Sequence, residues 1–433
     1  MINLNTKSIV GDLFTLNPWW GSDNLLFTKK YSFYRDLFDE FLDRVVNRDL
    51  ITSLVGLRRV GKSTMIQQTI YKLIENGVNP KSILYFLFED ITAKNVDLSD
   101  YLRKIIDYQI NQNPKEKIYI FLDEIQYING WNSVLKRYFD IYPQIKFIVS
   151  GSSSLFINTE SKESLAGRIQ ELILRPMSYG EYLRMTDKDN TEMHFMEYLS
   201  WGEFPYLEKL INWEEKKEYI NDFVFKKVVE NDLPKYRKIY GSEIVNMLNI
   251  LMAYSGQTIE IQNFASDLGI AQNTTREYLS LLEKTHLISQ VFNMGIGFRT
   301  RSVRQRKIYL TSVNASVLHN YQGLMSESWQ RNIGNIIETF VYNHLVRKNQ
   351  GEVSFWRQRQ IKEVDFINLL TESKLPIEVK YQNEIKKQDL ENLLYYCKKE
   401  KLNKAVIITK NEDATREIEG VKIEFKSARN LLN

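Results

Sequence analysis

Cysteine is almost absent from this chain of 433 residues, which contains only Cys397. A single cysteine cannot form a disulfide within the chain, and this composition is typical of proteins from a reducing compartment. We interpret Cys397 as a small apolar side chain on a helix rather than as a catalytic thiol.

Long hydrophobic runs and a strong net charge are also lacking. No apolar run approaches the ~18 residues that a membrane-spanning helix requires, and residues 1–5 show no signal-peptide pattern. We therefore expect a cytoplasmic protein without a membrane partner. The formal net charge is only +4, so a nucleic-acid partner has to be argued from local basic clusters. The length predicts two to four domains.

The most informative motif is a glycine-bearing loop at residues 56–64, which fits the phosphate-binding pattern G-x-x-x-x-G-K-[ST]. A β-like run precedes it and a helix-like run follows it, as this chemistry requires. Glycines let the backbone N–H groups point at phosphate oxygens, while the lysine reaches the β- and γ-phosphates and the serine ligates Mg²⁺. The sequence therefore predicts ATP and Mg²⁺ as cofactors. The predicted nucleotide-binding residues are Gly56, Arg58, Arg59, Val60, Gly61, Lys62, Ser63 and Thr64.

A second motif places two carboxylates after the apolar run 117–122, which reads as a buried central strand. Asp123 is predicted to hold Mg²⁺, directly or through water, and Glu124 to orient and polarise the attacking water. Strands expected at 51–55, 83–88, 117–122 and 145–150 alternate with helices, which predicts a parallel sheet.

Two further positions suggest roles around the γ-phosphate. Ser150 or Ser152, at the end of the strand beside the acid pair, could sense this phosphate. Arg168 lies in a loop and could stabilise the transferring phosphoryl group as an arginine finger. A plain serine-rich turn and a surface arginine remain equally compatible with the sequence.

Residues 177–240 read as helical and predict a lid. Beyond them, helices at 244–253, 261–268 and 274–282, with Asn273 as N-cap and Gly269 in the turn, predict a helix-turn-helix. A strand and an arginine-rich loop that follow would complete a winged helix. A winged helix that binds protein, with a solvated basic loop, is the alternative. The predicted DNA-contacting residues are Gln272, Asn273, Thr274, Thr275 and Arg276 on the third helix and Arg299, Arg301, Arg304, Arg306 and Lys307 in the loop.

The C-terminal third carries acidic residues on a predicted helix and on predicted strands, including Glu338 and Glu363. Asp365 and Glu378 could share a divalent metal, with Lys380 positioning water, as in a restriction-endonuclease-like site. The same residues could equally form exposed salt bridges.

Taken together, these motifs resemble an archaeal and bacterial family of AAA+ ATPases that ends in a domain of unknown function similar to the PD-(D/E)xK nuclease fold. The resemblance rests on the loop 56–63, on 121–126, on 150–153, on 165–168 followed by 175–179, and on 338–341, 363–366 and 377–380. It implies nucleotide and Mg²⁺ binding by Lys62 and Ser63, Mg²⁺ binding by Asp123, Glu124 as catalytic base, and Arg168 as finger or sensor. It also implies a winged helix.

The expected fold is therefore α/β, with an AAA+ P-loop core over 1–180, a helical lid over 181–240, a winged helix over 241–315 and a nuclease-like domain over 325–433. The expected function is ATP hydrolysis coupled to DNA binding, including binding of branched DNA. An ATP-regulated nuclease and a nucleotide-dependent assembly switch are the alternatives. The oligomeric state stays open, although a finger acting in trans would require a homo-oligomer.

Overall fold

The computed structural model describes the chain in eleven segments and divides it into two compact units, residues 1–174 and 175–433. The described residues are 13–21, 32–89, 97–113, 116–152, 164–229, 241–294, 305–320, 327–348, 352–358, 362–369 and 373–432.

The first unit is built on a five-stranded parallel sheet in the order β2-β3-β4-β1-β5. The strands are β1 (Ile51–Gly56), β2 (Ile83–Leu87), β3 (Ile118–Asp123), β4 (Ile145–Ser152) and β5 (Ile169–Ile173). Every residue of β1, β3 and β4 is buried, as expected for central strands covered on both faces. This confirms the predicted parallel sheet.

Among the described residues, four helices of ten or more residues accompany this sheet. They are α1 (Phe38–Asn47), α2 (Lys62–Glu75), α3 (Leu98–Gln112) and α4 (Trp131–Ile141). The apolar faces of α3 and α4 pack into one hydrophobic core with the strands. The side chain of Asp97 caps α3 by accepting hydrogen bonds from the backbone N–H groups of Ser99 and Asp100.

The second unit begins with short helical segments. These are α5 (Tyr179–Thr186), α6 (Glu192–Glu197), π-helical turns at Tyr198–Gly202 and Tyr219–Lys226, a 3₁₀ helix at Pro205–Lys209 and α7 (Trp213–Glu218). The predicted helical content of this region is confirmed as far as residue 229, and residues 230–240 lie outside the described part of the chain.

A helix–strand–helix–helix–strand–strand unit follows. It consists of α8 (Gly241–Ala253), β6 (Thr258–Ile259), α9 (Ile261–Leu268), α10 (Gln272–Lys284), β7 (Ile288–Phe292) and β8 (Arg306–Leu310), with the strands in the order β6-β8-β7. Gly269 ends α9 in the left-handed conformation, at φ 68°. The predicted N-cap Asn273 is wrong, because α10 begins at Gln272 with Ala271 in the cap position.

The chain then forms a six-stranded mixed sheet in the order β13-β14-β12-β11-β10-β9. Helices α11 (Val313–Asn320) and α12 (Glu327–Lys348) precede it, and α13 (Glu391–Glu400) lies between β11 and β12. The strands are β9 (Val353–Gln358), β10 (Lys362–Leu369), β11 (Lys374–Lys380), β12 (Lys404–Thr409), β13 (Ala414–Ile418) and β14 (Val421–Ser427).

One hydrophobic cluster joins the start of the second unit to β8, α12 and the terminal sheet. It combines Tyr179 and Tyr198 with Tyr309, Phe340 and Phe366, among others. The first unit ends at Leu174, six residues before the expected boundary at 180, and the finer division at 240 and 315 stays a prediction. No helix in the described segments is long and apolar enough to cross a membrane.

Candidate nucleotide-binding site and charged cluster

The loop between β1 and α2 has the geometry that its glycines predict. A Cβ atom on Gly56 would lie 2.2 Å from the carbonyl oxygen of Leu174, so only glycine fits there. Gly61 adopts a left-handed conformation, with φ 103°, immediately before α2. The ammonium of Lys62 folds back onto the loop and donates to the carbonyls of Gly56 (3.2 Å) and Leu57 (3.1 Å).

Asp123 is fully buried at the carboxyl end of β3 and receives hydrogen bonds from three side chains. The hydroxyls of Tyr85 (2.9 Å) and Ser150 donate to it, and Ser63 hydrogen bonds it as well. The sheet order explains this arrangement, because β3 lies between β2, which carries Tyr85, and β4, which carries Ser150. Burial, and then the charge of Glu124, raise the pKa of Asp123, while the three hydroxyls lower it.

Glu124 follows directly and adopts a left-handed backbone, with φ 56°. Its carboxylate accepts a hydrogen bond from the side-chain amide of Gln126. Because of this left-handed turn, the side chain of Glu124 does not follow the alternation of side chains along β3, which ends at Asp123. The two acids can therefore take different roles.

The residues present fit a nucleotide with Mg²⁺. Hydroxyl and carboxylate oxygens, here from Ser63 and Asp123, are the donors that Mg²⁺ prefers. The Oε1 atom of Gln126 is buried and has no hydrogen-bond partner in the described part of the chain, which leaves an acceptor for a bound water. The start of α2 presents backbone N–H groups to an anion.

The other predicted residues of the loop are held by the protein in different ways. Arg58 is 8% exposed, and its guanidinium donates to the Tyr127 hydroxyl (3.0 Å) and pairs with Glu89 (3.5 Å). Arg59 is exposed, with φ 69°. The carbonyl of Val60 accepts a hydrogen bond of 2.8 Å from Arg35.

Arg168 lies at the opposite end of the sheet. Its carbonyl accepts a hydrogen bond of 2.8 Å from the backbone N–H of Ile51, the first residue of β1. The phosphate-binding loop, in contrast, follows Gly56, the last residue of β1. At ~3.3 Å per strand residue, about 16 Å separates these two ends. The guanidinium makes a two-point contact with Asp140, at 2.8 and 3.2 Å. Arg168 therefore cannot reach a nucleotide bound to its own loop, and only the role in trans stays a prediction.

The predicted DNA-contacting residues divide into three groups. Gln272 and Asn273 are exposed and accept hydrogen bonds from Arg276, at 3.3 and 2.9 Å. Thr275, Arg306 and Lys307 are buried, which corrects the prediction that they contact DNA, and Thr274 is half-buried. Arg306 belongs to β8 and donates to the Gln290 side chain at 2.7 Å. Arg299, Arg301 and Arg304 lie outside the described residues.

The side chains of the predicted metal site in the terminal sheet make ion pairs, and the metal site itself stays a prediction. No group of three or more His, Cys, Asp or Glu side chains in the described segments is arranged to hold a metal ion. Instead, the ammonium of Lys307 lies between Glu338 (2.9 Å), Glu363 (2.6 Å) and Asp365 (3.4 Å).

The remaining carboxylate of the predicted metal site, Glu378, pairs with Lys380 at 2.8 Å. Burial, and then the charge of Asp365, raise the pKa of Glu378 to about 8. The same two causes raise the pKa of Glu338 to about 7. Ion pairs, which the sequence offers as the alternative, are present in these strands, and their side chains are buried or half-buried rather than exposed.

A protein-family model matches most of the first unit. Residues 48–183 match the family model of an AAA domain. This part of the chain is therefore similar to AAA domains. Residues 192–327 and 333–428 match two domains of unknown function, DUF8612 and DUF4143.

The chain is also similar along its length to curated proteins. It is 24% identical over 405 residues to an uncharacterized protein of Haemophilus influenzae, covering 90% of this chain and 96% of that protein. It is 26% identical over 377 residues to an uncharacterized protein of Methanocaldococcus jannaschii, covering 80% of each. Among solved structures, the Saccharomyces cerevisiae Hsp104–ADP complex matches with a TM-score of 0.34 and 14% identity, over 56% of this chain and 49% of that chain.

Several residues of the site were not predicted. Tyr85 and Gln126 contact the two acids, and Arg35 holds the loop from a segment 25 residues earlier. Tyr85 could be found only with the strand order, which places β2 beside β3. Gln126 lies two residues after Glu124, and this closeness in sequence was the one feature that could have indicated a contact between them.

Proposed function

We propose that this protein binds and hydrolyses ATP with Mg²⁺. The observation that carries the proposal is the convergence of Lys62, Ser63 and Asp123 at the edge of the sheet where β1 and β3 end, with Glu124 beside them.

Each residue has a role that follows from its chemistry. Lys62 would exchange the two carbonyls that it now contacts for the β- and γ-phosphates. Asp123 and Ser63 would hold Mg²⁺, which supplies positive charge at the phosphates. Glu124 would accept a proton from the attacking water, in the orientation that Gln126 sets.

Nucleotide binding by Lys62→Ala tests the site. A fluorescent ATP analogue should bind the wild type and bind this variant at least tenfold more weakly. Lys72→Ala is the matched control, because Lys72 lies on the same helix and pairs with Glu75 at the surface. Wild-type affinity in Lys62→Ala would reject the site.

We further propose that hydrolysis is coupled to DNA binding through the winged-helix arrangement of α8–α10 and β6–β8. The start of the third helix in this motif is the end that meets base edges, and here it exposes Gln272 and Asn273 beside Arg276. Arg299, Arg301 and Arg304, which lie outside the described residues, would add positive charge that attracts phosphates.

This coupling is tested by duplex, single-stranded and four-way-junction DNA in binding and ATPase assays at several salt concentrations. Arg276→Gln should weaken binding, whereas Lys284→Gln, at the exposed far end of the same helix, should change it less. Metal-dependent cutting that Asp365→Ala abolishes would favour the nuclease alternative. Neither binding nor stimulation by any DNA would favour the assembly switch, in which the winged helix binds protein.

A further inference from the structure

Lys307 joins two parts of the second unit that the sequence treats separately. It belongs to β8, which pairs with β6 and β7. Its side chain is only 4% exposed and ends among carboxylates of α12 and β10. Lys307 was predicted to contact DNA from a loop. In the structure it instead contacts Asp365, which was predicted to bind a metal, and the neighbouring Glu338.

The ammonium uses the carboxylate oxygens that a metal would need. It contacts Glu338 and Asp365 through Oε1 and Oδ1, at 2.9 and 3.4 Å. The second oxygen of Asp365 accepts a hydrogen bond of 2.9 Å from the backbone N–H of Val379. The Tyr309 hydroxyl donates to Glu338 at 2.6 Å. Oε1 of Glu338 and both carboxylate oxygens of Asp365 are thus already in contact with donors.

Charge compensation explains why a lysine is stable in this position. A buried ammonium is costly unless carboxylates pair with it, and buried carboxylates are equally costly without a cation. Glu363 completes the contacts, at 2.6 Å from Lys307 and 3.4 Å from Arg357. A divalent ion in contact with the same oxygens would lie a few ångströms from the ammonium and be strongly repelled by it.

We propose that Lys307 is the resident cation of this cluster, that it excludes divalent metal from the terminal sheet, and that it fastens β8 to α12 and β10. The cluster of Glu338, Glu363 and Asp365 is an internal ion-pair junction in this arrangement. Removal of the ammonium converts it into a site for a divalent cation. The inference concerns the terminal sheet and stands apart from the proposed ATP hydrolysis.

The test is Mn²⁺ binding to the full-length, nucleotide-free protein, followed by electron paramagnetic resonance. Wild type and Asp365→Asn should bind the same number of ions, because Asp365 holds no metal while Lys307 is present. Lys307→Met should gain one ion at least tenfold tighter than any wild-type site, and Lys307→Met with Asp365→Asn should lose it. Lys307→Arg, which keeps a cation, should gain none.

Thermal unfolding provides the second readout. Mn²⁺ should raise the melting temperature of Lys307→Met more than that of the wild type. A wild-type Mn²⁺ site that Asp365→Asn abolishes would overturn the proposal, and so would a folded Lys307→Met that gains no ion. Should Lys307→Met not fold, the comparison of wild type, Asp365→Asn and Lys307→Arg still decides.

Discussion

The side-chain amide of Gln126 donates a hydrogen bond to the carboxylate of Glu124, two residues earlier in the chain. This contact is made across a left-handed turn at Glu124. It fixes the carboxylate that we propose as the catalytic base, while Asp123 is fixed separately by hydroxyl groups. The two neighbouring acids are therefore positioned by different partners.

Gln126→Ala should lower kcat for ATP about 10- to 100-fold, because a misplaced base loses rate on this scale. The KM for ATP should change less than about twofold, since Gln126 is a positioning residue and contacts neither Lys62 nor Ser63 in the structure. Steady-state kinetics measures both constants. Gln170→Ala is the control, because Gln170 contacts Thr52 near the other end of β1. An unchanged kcat in Gln126→Ala would contradict the assigned role.

Gly56 and Gly61 should respond differently to alanine. Gly56→Ala places a Cβ 2.2 Å from a backbone carbonyl oxygen, so the end of β1 must shift. We expect a loss of several kcal/mol, above the range of about 1–3 kcal/mol for ordinary overpacking. Gly61→Ala meets no atom within 4 Å and should cost only the left-handed backbone strain, about 1–2 kcal/mol. Urea unfolding compares the two, and equal losses would contradict the explanation.

Arg168 leads to a mixing experiment, because it lies at the opposite end of the sheet from its own loop. If it serves a neighbouring copy, Arg168→Ala should bind ATP normally and hydrolyse it slowly. Lys62→Ala keeps Arg168 but lacks a working site. Mixing the two inactive variants should restore measurable hydrolysis, and the wild-type specific activity should rise with protein concentration. No recovery at any mixing ratio would exclude the role in trans.

Glu203 should make the stability of the protein depend on pH. Its carboxylate is 1% exposed and accepts hydrogen bonds from the Ser312 hydroxyl (2.6 Å) and the backbone N–H of Asn314 (2.9 Å). Burial raises its pKa above the usual 4.5. The folded state therefore binds this proton more tightly than the unfolded state, and its contribution to stability decreases as pH rises from 4.5 through the folded-state pKa.

Glu203→Gln keeps an acceptor oxygen and should remove this pH dependence. Glu203→Ala leaves two buried donors without an acceptor and should cost about 3 kcal/mol. Urea unfolding of both variants between pH 4.5 and 8 measures the two effects. A wild type and Glu203→Gln with parallel pH profiles would contradict the prediction.

The first unit was largely predictable because its signals are local. The loop at 56–64 and the apolar run before Asp123 follow from residue type and spacing, and the four predicted strands match β1–β4 to within two residues. The edge strand β5 was missed, because its residues are mostly half-exposed and show no long apolar run.

The second unit was less predictable because its charges are paired over long sequence distances. Lys307 and Asp365 are 58 residues apart, and sequence periodicity does not show that β8 lies against β10. Arg306 and Lys307 appeared to belong to a basic loop, yet both are buried strand residues. The composition of the segment was read correctly, but its exposure depends on tertiary contacts.

The most direct test of the account is single-turnover ATP hydrolysis by wild type and Glu124→Gln, with nucleotide affinity measured on the same samples. We expect Glu124→Gln to bind Mg²⁺–ATP within about twofold of wild type and to hydrolyse it at least 100-fold more slowly, because a general base typically contributes about 10²–10⁴-fold. Equal hydrolysis rates in the two proteins would contradict the assignment of Glu124. A wild type that neither binds nor hydrolyses ATP would contradict the proposed function.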